Sequence, residues 1–151
     1  MTAFWITLSE DQFESDGEKI ALGSIKLGNF QEDFHASLSH WDQERYRSQW
    51  KEALERLVKG EDKSALVTSM YDPDKANFIT WWPLYRDGDC VLVQNQLLFL
   101  AELAKPFSEA QPYKSVPRRE TTTEDGEAIS EWTIDLSDIE EFLAAHYGSM
   151  R

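Results

Sequence analysis

Three histidines, one cysteine and 28 carboxylates are the side chains in this 151-residue sequence that could carry chemistry. The chemistry would be metal binding, proton transfer or nucleophilic attack, and each demands its own spacing. His35, His40 and His146 stand far apart, and no H-E-x-x-H pattern puts two imidazoles on one helical face, so no zinc signature exists. Asp42 and Glu44 lie near His40 and could in principle support acid–base work, but among 28 carboxylates such proximity is expected by chance. Cys90 follows Asp89 and opens an apolar run, where charge and burial both disfavour a thiolate; it is expected to be a small buried hydrophobe. Gly23 and Gly28 are isolated and form no phosphate cradle. Trp81-Trp82 could suggest a base-stacking platform, yet neighbouring strand residues face opposite sides and no basic groove accompanies them, so core packing is the better reading. The sequence therefore predicts no catalytic residue, no cofactor and no metal, and a protein that is not an enzyme.

The carboxylates are more informative as charge. Fifteen basic against 28 acidic side chains give a net charge of −13, with a pI near 4.5. Residues 1–37 hold seven acids and two lysines, and residues 119–151 hold nine acids and two arginines, whereas residues 76–118 are balanced at four against four. Such a surface repels phosphate backbones, so no direct nucleic-acid binding is expected, and a basic protein partner is favoured. Acidic surfaces also keep proteins soluble without any partner, and charge alone does not separate the two readings. The longest apolar runs, such as Leu97 to Ala101, fall far short of the roughly 20 residues of a membrane span, and no basic segment leads into an apolar stretch at the N-terminus. With one cysteine no internal disulfide can form. The expectation is a single domain over residues 1–151, free of membrane and located in the cytoplasm.

The elements that must position these side chains follow from period. Phe4 to Leu8, Ile20 to Leu27 and Phe30 to His35 read as strands, with Ser9 to Glu18 a solvated loop. From Trp41 the period becomes helical through Tyr46, Trp50, Leu54 and Leu57, ending at Gly60, with Glu52–Arg56 and Glu55–Lys59 spaced to pair on the outer face. Ser64 to Tyr71, Ala76 to Arg86 and Cys90 to Phe99 form a β-meander joined by Asp72-Pro73-Asp74-Lys75 and Arg86-Asp87-Gly88-Asp89 turns. The middle strand is apolar on both faces and should be covered on both, with a bulge at Pro83, which lacks a ladder donor. Pro106 to Pro117 reads as a long loop. Arg119 to Thr123 and Ala128 to Leu136 form a C-terminal hairpin about Glu124-Asp125-Gly126, and Ser137-Asp138-Ile139-Glu140 caps a last helix that packs Phe142, Leu143 and His146 and ends at Gly148. The fold class is α+β: antiparallel sheets, meander plus C-terminal hairpin, sandwich- or Whirly-like, with two main helices.

Five acids neither cap a helix nor pair along one. Glu124, Asp125, Glu127, Glu131 and Asp135 form an outward ladder on that hairpin and are the candidate contact residues for a basic partner. Other pieces of the chain point to a family. Leu38-Ser39-His40-Trp41-Asp42, Ser69-Met70-Tyr71-Asp72-Pro73, Val93-Gln94-Asn95 and Ile129-Ser130-Glu131-Trp132 resemble, in order and spacing, the immunity proteins of contact-dependent growth inhibition systems over roughly residues 38–143. Residues 1–37 carry no such match. The resemblance implies sheets and helices similar in shape to Whirly domains, and a partner that is the C-terminal toxin domain of a large exported effector. It further implies a basic nuclease similar to the colicins that cut small-subunit ribosomal RNA. A different basic client, such as that of a secretion chaperone or DNA mimic, and an enzyme with an unrecognised carboxylate pocket are the rival readings.

Overall fold

The computed structural model describes residues 3–147. Alternation of apolar and polar side chains builds its N-terminal sheet. In β1 (Phe4–Leu8), Phe4, Ile6 and Leu8 are buried and Thr7 faces out. The segment expected to be a solvated loop holds a strand, β2 (Phe13–Ser15), which turns through Asp16-Gly17 into β3 (Glu18–Leu27). Asp16 and Gly17 both take positive φ (53° and 78°), the conformation that two-residue hairpin turns require. β1 and β2 share one edge of β3, and β4 (Phe30–Ser37) runs along the other, two residues past the expected end. Gly23 permits that pairing: a Cβ there would stand 2.3 Å from the Phe34 ring, which crosses the strand to meet Trp50 edge-on.

Helix α1 (Gln43–Val58) starts where Asp42 accepts from the Arg45 N–H (2.8 Å), and buries Tyr46, Trp50, Leu54 and Leu57 at the expected spacing. Its end is marked by Gly60 at φ 111°. The expected Glu52–Arg56 pair does not form. Arg56 lies over the Tyr113 ring (3.4 Å), donates to Lys63 O (2.8 Å) and approaches Glu61 (3.8 Å), because a ring and a carbonyl within reach offer more than one exposed carboxylate. Glu55 and Lys59 are likewise joined through the backbone, Lys59 N–H to Glu55 O (2.9 Å), rather than as an ion pair.

The second sheet has the order β5 (Lys63–Ser69), β6 (Phe78–Asp87), β7 (Cys90–Gln94) and β9 (Glu131–Asp135), with β8 (Gln96–Phe99) continuing along β6. The strand expected over Cys90 to Phe99 is thus split at Asn95. Register does not slip across the split, since Leu84↔Val93 and Trp81↔Gln96 keep one alignment. No bulge sits at Pro83, which pairs with Ala65; the register shift lies on β5, between Val67 and Ser69. Pro83 instead interrupts the opposite side of β6, where its missing N–H leaves the ladder without a rung beside Gln94 and Asn95. Both faces of β6 are covered, as expected. Trp82 and Leu84 join the main core, while Trp81 and Tyr85 lie under Phe107 and Val116 of the segment before residue 118.

The C-terminal hairpin is shorter than expected. It is closed by Thr123 N–H to Glu127 O (2.8 Å) and Ile129 N–H to Thr121 O (2.9 Å), with one bridge, Thr122↔Ala128. Its arms carry no regular strand, and β9 pairs with β7 from Cys90↔Asp135 to Gln94↔Glu131. β9 passes directly into α2 (Leu136–Tyr147), one residue ahead of the expected Ser137 cap; Gly148 lies outside the described residues. Phe142 meets Phe4 edge-on (5.4 Å), and Trp132 stacks on Phe30 (4.4 Å) and leans on Trp82 (5.6 Å), so aromatic contacts join the two sheets and α2 in one core. Among the described residues no helix is long and apolar enough to cross a membrane. The architecture is α+β, with two antiparallel sheets and two helices.

Candidate functional site

The possible catalytic groups are absorbed by structure. Glu109 accepts from both His40 Nε2 and Trp41 Nε1, each at 2.8 Å, and Arg45 donates to its carbonyl (2.8 Å) while stacking over Trp41. The imidazole thus helps close the segment before residue 117 onto α1. Ser39, which shares the neighbouring 420 Å³ hollow with His40, Tyr71 and Asp72, has its hydroxyl on Ser37 Oγ (2.8 Å). His35 packs against Phe13, and His146 stacks on Phe142. Cys90 is half-buried rather than fully buried, since it lies at the start of β7 beside the exposed Asp89. Among the described residues no three potential ligands converge on a metal position.

The acidic ladder does not stay together. Glu131 is held by Arg119 through two bonds (2.8 and 2.5 Å) and accepts from Gln94 Nε2 (2.9 Å). The Arg119 guanidinium holds its carboxyl below the ordinary range, against a smaller opposing effect of partial burial. Asp135 stands exposed at the far end of β9, four residues away and therefore about 13 Å along the strand. Glu124, Asp125 and Glu127 sit in the exposed hairpin turn and form no ion pair among the described residues.

Glu124 and Asp125 instead join residues remote in sequence. A 470 Å³ concavity opens on the outer face of the second sheet, floored by Tyr85, Gln94 and Gln96. The 117–129 segment and the end of the 3₁₀ turn after β8 form its walls, bringing Glu102 and Glu120 to the same rim, with Arg118 the one base. Gln94 builds this arrangement: fully buried, it donates to Glu120 O (2.8 Å) and to Glu131, and accepts from Gln96 Nε2 (2.5 Å). The buried Gln94 amide pins the acidic segment over the sheet, and the half-buried Gln96 braces it. Chemically the site offers fixed negative charge beside apolar carbon from Phe99 and Ile129, which suits a cationic protein surface. Sequence reasoning missed Gln94, Gln96, Phe99, Glu102 and Glu120 as site residues; the signal was the amide run Gln94-Asn95-Gln96 inside an otherwise apolar strand.

Comparison with known proteins supplies the lineage. A family profile described as the CdiI N-terminal domain matches residues 36–142. The chain belongs to the CdiI family of contact-dependent growth inhibition immunity proteins. It is 36% identical over 139 residues to the immunity protein CdiI of Enterobacter cloacae subsp. cloacae, a match covering 92% of this chain and 95% of that protein. That span necessarily enters the first 37 residues, which motif reading could not place. Among solved structures, a chain of the CdiA-CT/CdiI toxin and immunity complex from Enterobacter cloacae superposes with a TM-score of 0.84 at 35% identity, covering 94% of this chain and 97% of that one. CdiI membership thus extends to both sheets and both helices described above.

Proposed function

We propose that this CdiI family member binds and neutralises the C-terminal toxin domain of its own CdiA effector, in the cytoplasm, and does so without catalysis. The observation that carries the reading is near full-length likeness, in sequence and in shape, to CdiI from a toxin and immunity complex. The toxin is taken to be a basic nuclease, an RNase acting on small-subunit ribosomal RNA. A nuclease must present positive charge to hold RNA, and a protein of net charge −13 is steered toward such a surface and away from the RNA itself. Steering raises association above the neutral ~10⁵–10⁶ M⁻¹s⁻¹, which matters when the toxin acts on each ribosome it meets.

The contact surface on this reading centres on Glu124 and Asp125, with Glu127 beside them. Glu131 serves by holding Arg119 and the hairpin, and Asp135 lies at the margin. The test is to express the adjacent effector's toxin domain in cells with and without this protein, then to purify one through a tag on the other. Rescue of growth with a stable complex is expected; continued killing with no complex would remove the immunity reading for that toxin.

A further inference from the structure

Five large apolar side chains stand exposed among the described residues, and three of them meet at one place: Phe78 (38%), Leu97 (48%) and Phe99 (45%). Phe13 and Leu22 are on the other sheet. Phe78 and Phe99 are register partners with rings 6.1 Å apart, and Leu97 stands two residues before Phe99 on the same side of β8. β8 is also an open edge. Among the described residues it pairs only with β6, because β9 ends at Glu131 opposite Gln94 and the chain before it turns off to the Thr122 bridge. Leu100 N–H donates to Asn77 O (3.0 Å), and the alternation of an antiparallel ladder then points the N–H and C=O of Leu97 and Phe99 outward, away from β6. An open edge with exposed apolar side chains is a template for another strand, and natural proteins normally blunt such edges with charge or proline.

What would fill it is set by charge. The acid-rimmed concavity borders β8, with Gln96 on its floor, Phe99 at its corner, and Glu102, Glu120, Glu124 and Asp125 around it. A second copy of this chain would bring the same acids, and a net charge of −13, against themselves. A basic protein meets no such opposition. We propose that the outer edge of β8 receives an extended segment of the partner toxin as an added strand. Side chains of that segment alternate, Lys or Arg toward Glu120, Glu124 and Asp125, aliphatic or aromatic toward Leu97 and Phe99. This rests on the toxin-binding reading above and adds to it the docking element and the pattern it selects.

The test is amide exchange, read by NMR, on the full chain alone and with the purified cognate toxin domain. The Leu97 and Phe99 amides are expected to exchange rapidly in the free protein and to become protected in the complex. Leu97→Pro removes an outward N–H while sparing every bond to β6, and is expected to weaken toxin binding by about tenfold or more with an unchanged melting curve; Leu97→Ala, which keeps the N–H, is expected to weaken it less. A complex that forms while both amides exchange as before would overturn the proposal and leave the immunity reading standing. Protection that grows with protein concentration in the absence of toxin would overturn it in favour of self-pairing. No complex at all would overturn both.

Discussion

The seam between α1 and β5 and the margin around β8 are both sheet edges, and they are finished in opposite ways. At the seam, side chains of α1 bond the outward backbone of β5 and its neighbours. Gln49 donates to Ala65 O and accepts from Val67 N–H, Trp50 Nε1 donates to Val67 O, and Tyr46 donates to Ser37 O while accepting from Met70 N–H, all at 2.6 to 2.8 Å. The helix thereby covers the edge that β5 would otherwise expose. At the margin of β8 nothing among the described residues covers the edge, three apolar side chains face solvent, and four acids crowd a rim with a single base. Hydrogen bonds are thus concentrated on holding the scaffold, while the margin leaves backbone, apolar carbon and charge exposed where the toxin is proposed to dock.

Three variants test that contrast. Trp50→Ala has the largest effect, because it empties a fully buried site and deletes the bond to Val67; a loss of about 3–5 kcal/mol in denaturant unfolding is expected. Replacing the rim acids together, Glu102→Gln, Glu120→Gln, Glu124→Gln and Asp125→Asn, should leave stability nearly unchanged. It should slow toxin association roughly tenfold at low salt and flatten its salt dependence, as stopped-flow binding at several ionic strengths would show. Unchanged kinetics would place the encounter surface elsewhere. The smallest effect belongs to Arg119→Gln. Because Arg119 depresses the Glu131 carboxyl in the folded state, its contribution is present above the ordinary carboxylate pKa and fades as pH falls through the depressed value. Wild type and variant should therefore differ slightly near neutrality and converge in acid, measured by thermal melts across pH.

Much of the scaffold was legible in the sequence. Helical spacing of Tyr46, Trp50, Leu54 and Leu57 located α1, and two-sided apolarity predicted the doubly covered β6. What escaped depends on partners distant in the chain. Nothing local to residues 119–136 reveals that β9 belongs beside β7 rather than beside its own hairpin arm. Proline at position 83 signals a bulge, although its effect appears as a split in the facing strand at Asn95. Asp16-Gly17 carried a clear turn signal that the surrounding acidity obscured. Alternation makes the candidate acids look like one ladder, yet Arg119 and Gln94 claim Glu131, and the cavity gathers Glu124 and Asp125 with Glu102 and Glu120.

On the proposed reading of the toxin as an RNase of small-subunit ribosomal RNA, neutralisation is tested most directly in a cell-free translation reaction treated with the purified cognate CdiA toxin domain and titrated with this protein. Translation is expected to recover with an endpoint near one protein per toxin, together with intact small-subunit ribosomal RNA. Translation that stays arrested, with the RNA still cut, at a large excess of protein would contradict toxin neutralisation by binding.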